Sequence, residues 1–146
     1  MLRWFIKKIN GKNEGFTLIE MIVVVAIIAI LVGIAVPQAV KQINRAKISA
    51  DLANARNIAM AIQQYVADGG DASKLSTNWK SIEEDTFIVP YLSGGVPKPK
   101  YSSDYKGFCY KYQNETVHVG VYKDSSSLTD DKVDEIYPNP EQPYNQ

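Results

Sequence analysis

Cysteine is nearly absent: Cys109 stands alone among 146 residues, which excludes an intramolecular disulfide and leaves packing to hold whatever folds here. Histidine is as scarce. A single His118 beside a single Cys109 supplies neither a zinc ligand set nor a nucleophile with its base, so no catalytic residue and no metal site is expected. An excess of positive charge is also missing. The 16 basic and 16 acidic residues cancel, which argues against a nucleic-acid partner. Polar residues are missing altogether from Met21 to Val36. A segment so uniformly apolar cannot join a water-soluble core, which leaves roughly 100 residues to fold in water.

Extended back to Phe16, that run gives about 21 residues interrupted by Thr17 and Glu20, a helix of roughly 30 Å, the thickness of a bilayer's hydrocarbon core. The leader MLRWFIKKINGKNEG holds Arg3, Lys7, Lys8 and Lys12 against Glu14, a net charge of +3. Positive flanks stay in the cytoplasm, so the remainder, which carries −3, faces outward. Beyond Pro37, the residues Val40, Ile43, Ile48, Leu52, Ala55, Ile58, Ile62 and Tyr65 recur mostly at three- and four-residue steps. That period predicts an amphipathic helix, with Lys41, Arg45, Lys47, Asp51, Asn54, Arg56 and Gln63 at its other positions. The pair Gly69 and Gly70 stops it near Ala67. Joined, residues 16–67 make one helix of roughly 78 Å with Pro37 as its weak point.

The stretch KGFCYKYQNETVHVGVYKD reads as a hairpin with a two-residue turn at Asn114 and Glu115. Tyr112 then faces Val117, Tyr110 faces Val119 and Phe108 faces Val121, all on one side, which needs a cover that the helix stripe can provide. Cys109, Lys111, Gln113, Thr116, His118 and Gly120 fall on the other side, and Cys109 and His118 read as surface-facing, Cys109 as a free, partly covered thiol. Residues 69–106 read as a connection with a short helix near Trp79 to Asp85 and a strand from Thr86 to Tyr91. From Asp124 the chain reads as a polar loop and extended surface tail. Asp124, Asp130, Asp131, Asp134 and Glu135 lack EF-hand spacing and read as a solvated acidic loop rather than a calcium site. The nine tyrosines read as core packing and loop anchors, with adhesion or contact between heads as the functional alternative.

Three readings compete for the N-terminal segment. A cleaved secretory signal finds small residues at Gly33 to Ala35, but Glu20 sits inside its apolar region and Pro37 lies just past the cut. A plain membrane anchor tolerates Glu20 one turn inside, since a carboxylate costs about 2.5–3.5 kcal/mol at mid-membrane and less near the interface. The third rests on the motif GFTLIE itself. Following a short basic leader and preceding a long apolar run and a proline, it resembles the type III signal of type IV pilins and their pseudopilin relatives.

That resemblance covers residues 14–67 and implies an α+β, pilin-like ladle: a long N-terminal helix, membrane-spanning in its first half and amphipathic in its second, packed on a small antiparallel β-sheet head. Residues 1–15 would be a basic leader removed by a prepilin peptidase, which cuts between Gly15 and Phe16 and methylates Phe16. Residues 16–37 would be the transmembrane and polymerisation helix and 38–68 the amphipathic helix. Residues 69–146 would form the head, with a connecting loop, a β-hairpin at 106–123 and a polar, proline-rich tail. Glu20, fifth in the processed chain, would pair with the methylated N-terminus of a neighbouring subunit. The offset between the two charges staggers successive copies and builds a filament. Gly33 and Pro37 would mark a kink or melting point. The implied partners are other copies of the chain, the prepilin peptidase, an assembly ATPase and a platform membrane protein. The precursor would sit in the cytoplasmic membrane with its head outside and enter an extracellular pilus, with no cofactor and no enzymatic activity. A pseudopilin of a type II secretion or DNA-uptake competence system shares these features. A monomeric membrane-anchored binding module is the alternative of a different class. The lone cysteine departs from the many pilins that staple their C-terminal region with a disulfide.

Overall fold

The computed structural model describes residues 16–145. Residues 1–15, with the cleavage position expected at Gly15, lie outside the described residues, as does Gln146. Two compact units divide between Lys41 and Gln42. A long helix, α1 (Leu18–Ala67), is followed by an antiparallel sheet in the order β1 (Lys80–Ser81), β2 (Gly107–Gln113), β3 (Thr116–Tyr122) and β4 (Val133–Tyr137). A long helix followed by a small antiparallel sheet is the α+β architecture expected from the sequence.

In the first unit every large apolar side chain from Phe16 to Val36 is exposed, by between 45% and 79%. Burying such a side chain is worth about 1.5–3 kcal/mol, so this surface calls for lipid or protein around it. Pro37 lies inside α1, where it lacks the N–H that would meet the Gly33 carbonyl, yet the helix runs on through it.

The second unit has its own core. Asn114 and Glu115 both take positive φ, 51° and 60°, the left-handed pair that a two-residue hairpin turn requires. The register follows as expected, with Tyr112 opposite Val117, Tyr110 opposite Val119 and Phe108 opposite Val121. Their shared face packs with Ile48, Ala55, Ile58 and Ile62 of α1. The helix stops where Gly69 turns to φ 86° and the Gly69 and Gly70 amides bond back to the Val66 and Tyr65 carbonyls, at 3.1 and 2.9 Å.

Five expectations are corrected. Between Trp79 and Asp85 the chain forms β1 and a single 3-10 turn, Ile82–Glu84, and the strand expected at Thr86–Tyr91 is replaced by a 3-10 turn at Val89–Tyr91. Asp85 draws the chain into that path by accepting from the Phe87 and Ile88 amides, at 3.0 and 3.3 Å. The tail is not merely an extended surface segment. Val133–Tyr137 pairs with β3, and Tyr144 is buried, 1% exposed, with its hydroxyl on Asp51 at 3.2 Å. Cys109 does not face solvent, because Trp79, Tyr122 and Val133 cover the second side of the sheet. Asp51, placed among the outward positions of the helix, is fully buried and also accepts from the Lys100 and Tyr101 amides at 2.7 and 2.9 Å.

Candidate assembly segment

The start of α1 carries its functional candidates. Leu18 is the first helical residue, so Thr17 occupies the N-cap position and Glu20 the third turn position after it. The Thr17 amide donates to Glu20 Oε2 at 2.7 Å, the Thr17 hydroxyl donates to the same oxygen at 2.9 Å, and the Glu20 amide donates to Thr17 Oγ1 at 3.3 Å. This is a capping box, in which two otherwise orphaned helix-start donors are satisfied reciprocally. A negative side chain in the first turn also meets the positive end of the helix dipole. The sequence signal for it is plain in retrospect: Thr-Leu-Ile-Glu has the Ser/Thr-x-x-Glu spacing ahead of an apolar run. Glu20 therefore already has a local task. Both Thr17 bonds fall on Oε2, so Oε1 is not used by the cap.

Phe16, Thr17 and Glu20 thus come together at one end of the helix, while Gly33 and Pro37 lie several turns further on and take no part there. A Cβ at Gly33 would meet nothing within 4 Å, so close packing inside this chain does not require glycine. Met21, Ile22, Val25, Ala26 and Ala29 follow Leu18 along an apolar hollow of about 450 Å³ open on the helix surface.

The acidic residues of the tail are dispersed among separate partners. Asp130 accepts from the Trp79 indole N–H at 2.6 Å and from Lys111 at 2.8 Å, and these bonds hold its carboxyl below the usual aspartate range. Asp134 takes the Tyr105 hydroxyl, Glu135 meets His118 Nδ1 at 3.0 Å, and Asp124 caps the Ser126 amide at 2.9 Å. Among the described residues no three acidic, histidine or cysteine side chains form a metal-holding group. Burial pushes the Cys109 thiol far up, so it stays protonated and inert.

Comparison with known proteins singles out the same segment. Residues 10–36 match the family described as the prokaryotic N-terminal methylation motif. Over 67 residues the chain is 41% identical to the type IV major fimbrial protein FimA of Dichelobacter nodosus, covering 46% of this chain and 43% of that one. It is 38% identical over 63 residues to the type IV major pilin protein PilA of Myxococcus xanthus, covering 43% and 29%. It is 39% identical over 57 residues to the type II secretion system core protein G of Pseudomonas aeruginosa, covering 39% and 40%. The aligned stretch is therefore less than half the length of each of these curated relatives. No solved structure matches. In its methylation motif and the first part of its long helix the chain is thus similar to type IV pilins and to a type II secretion core protein, and a long helix followed by an antiparallel sheet is the architecture expected of that resemblance.

Proposed function

We propose that the chain is a prepilin: a structural subunit, not a catalyst, that leaves the membrane to build a type IV pilus or a pilus-like filament. The observation that carries this reading is the methylation motif at residues 10–36, together with a helix whose large apolar side chains as far as Val36 are exposed among the described residues. A helix of this length and composition can cross a membrane, and the basic leader sets its orientation, with the head outside the cytoplasmic membrane. A prepilin peptidase cuts between Gly15 and Phe16 and methylates Phe16, and an assembly ATPase and platform membrane protein drive the polymer outward. In the filament, other copies of the same apolar helix replace the lipid. Gly33 and Pro37 lie where a helix with one missing backbone bond loosens most readily.

The role of Glu20 in assembly is to pair with the new, still basic N-terminus of a neighbouring copy. A carboxylate in a water-free bundle is tolerated when a positive group and hydrogen bonds satisfy it, and the Thr17 cap supplies part of that satisfaction. The likeness to a secretion-system core protein supports a second reading, a pseudopilin, which shares processing and assembly and differs in what the filament does.

The cap itself provides the discriminating experiment. Glu20→Gln keeps an acceptor that a capping box tolerates but removes the charge, Glu20→Asp keeps the charge, and Thr17→Ala removes the cap and leaves the charge. Pairing predicts that the Gln variant is processed yet fails to enter filaments, while the Thr17→Ala subunit still assembles. If Glu20→Gln assembles like the wild type and Thr17→Ala does not, Glu20 serves the helix start and the pairing role is wrong.

A further inference from the structure

The exposed side of α1 within the second unit carries charge of one sign. From Gln42 to Ala67 its exposed charged residues are Arg45, Lys47 and Arg56, and the one acid of that stretch, Asp51, is buried. Eleven residues are three helical turns plus about 20°, so Arg45 and Arg56 line one stripe about 16 Å long. Exposed Met60 and the small residues Ala46, Ser49 and Ala53 leave that side open to a close neighbour. Among the described residues, none of the three bases forms an ion pair.

After Ala67 the balance reverses, to 13 acidic against 8 basic residues, a net charge of −5. Several of these acids are committed within the fold: Asp85 to Lys80, Asp130 to Lys111, Glu135 to His118, and Asp134 to Tyr105. Glu83 and Glu84 differ. They are adjacent and exposed, neither takes part in an ion pair among the described residues, and they sit on the Ile82–Glu84 turn. Ile82 and Asp85, on either side of them, are both fully buried. The turn is thereby anchored at both ends, so little ordering is needed before its two carboxylates meet a partner.

We infer that the Arg45–Arg56 stripe is a docking surface for a second copy of this chain, with the Glu83–Glu84 turn of that copy as its acidic counterpart. Guanidinium groups suit the role because their fixed fork of donors fits carboxylates in pairs. Stripe and turn form no ion pair with each other among the described residues, which leaves both available for a contact between molecules. Where the stripe of one copy takes the turn of a second copy and the stripe of that copy takes the turn of a third, the contact is heterologous, and its repetition gives a ring or a filament. The inference rests on the filament reading above and adds a contact outside the apolar segment. An anionic lipid headgroup would use the stripe but leave the turn idle.

The test uses the full chain in cells from which the wild type is recovered in sheared filaments; failure to recover any wild-type filament would count against the filament reading and not against this contact alone. Arg45→Glu with Arg56→Glu is expected to lower filament recovery about tenfold, as is Glu83→Lys with Glu84→Lys, because like charges then face each other across the contact. All four changes together should restore most of it. Near-UV circular dichroism of each variant checks that the head remains folded. Recovery in the fourfold variant no better than in the worse pair, with wild-type filaments intact, overturns the inference. So does a loss confined to the arginine pair, which would assign the stripe to lipid. As a second measurement, co-expressed Arg56→Cys and Glu83→Cys subunits should form crosslinked pairs in sheared filaments treated with a short bifunctional thiol reagent. Filaments without such pairs overturn it as well.

Discussion

Asp51 and Asp85 are both fully buried, and both are richly bonded: Asp51 by two backbone amides and the Tyr144 hydroxyl, Asp85 by two amides, Lys80 and the Tyr110 hydroxyl. In a chain without a disulfide they tie distant segments to the helix and to the sheet. Burial works to raise the Asp85 carboxyl, but the Tyr110, Lys80 and Phe87 bonds outweigh it and leave it below the ordinary aspartate value. The folded form therefore releases its proton more readily than the unfolded chain does. Its stabilisation is complete above about pH 4 and is lost as pH falls through the lower folded value. Asp85→Asn is expected to cost about 1–3 kcal/mol at pH 7 and to flatten the acid limb of the stability profile, read by denaturant unfolding at several pH values. Equal losses at pH 7 and pH 3 would contradict the role of its charge. Neither aspartate announces itself in the sequence. Asp51 falls within a polar-looking helical set, and only the return of residues 100, 101 and 144 to that side of α1 makes it interior.

At the scale of elements, the hairpin was legible because two independent signals agree, the period-two alternation of Phe108, Tyr110, Tyr112, Val117, Val119 and Val121, and a turn that opens with Asn114, a residue that tolerates positive φ. The helix was legible from its 3.6-residue period and its Gly-Gly stop. β4 was not, since Val-Asp-Glu-Ile-Tyr breaks alternation. A bulge opposite Val119 and Gly120 leaves Ile136 without a partner on β3. Val133 then joins the cluster on one side of the sheet, while Ile136 joins the helix-facing core on the other. Such a strand exists by virtue of its pairing, not of its own propensity. The close approach of β4 to β3 fixes Gly120, where an added Cβ would lie 2.4 Å from Val133 Cγ1 and 3.0 Å from the Asp134 carbonyl oxygen. Gly120→Ala should destabilise the head by about 1–3 kcal/mol, since neither a stiff valine nor a strand backbone yields cheaply. An unchanged thermal midpoint for that variant would show that β4 is not held where the structure puts it.

For the whole molecule, the division of labour follows from where apolar surface is covered. Residues 42–145 cover most of their own: Ile58, Ile62, Phe108, Val119 and Val121 are all fully buried. Residues 16–36 cover none of theirs, and a water-soluble monomer has no use for such a segment. The likeness to pilins was therefore legible in the first third of the chain, where the methylation motif, the apolar run and Glu20 lie together. The specific task of the head was not, because it depends on surface patches assembled by folding and on partners that no local pattern encodes. The most direct test of the filament account is the intact mass and N-terminal residue of the chain recovered from cells and from a sheared surface fraction. The account predicts a chain that begins at methylated Phe16 and is present in the sheared filaments. An uncut chain beginning at Met1 and confined to membranes, in a host with an active prepilin peptidase, would contradict it and favour an anchored monomer.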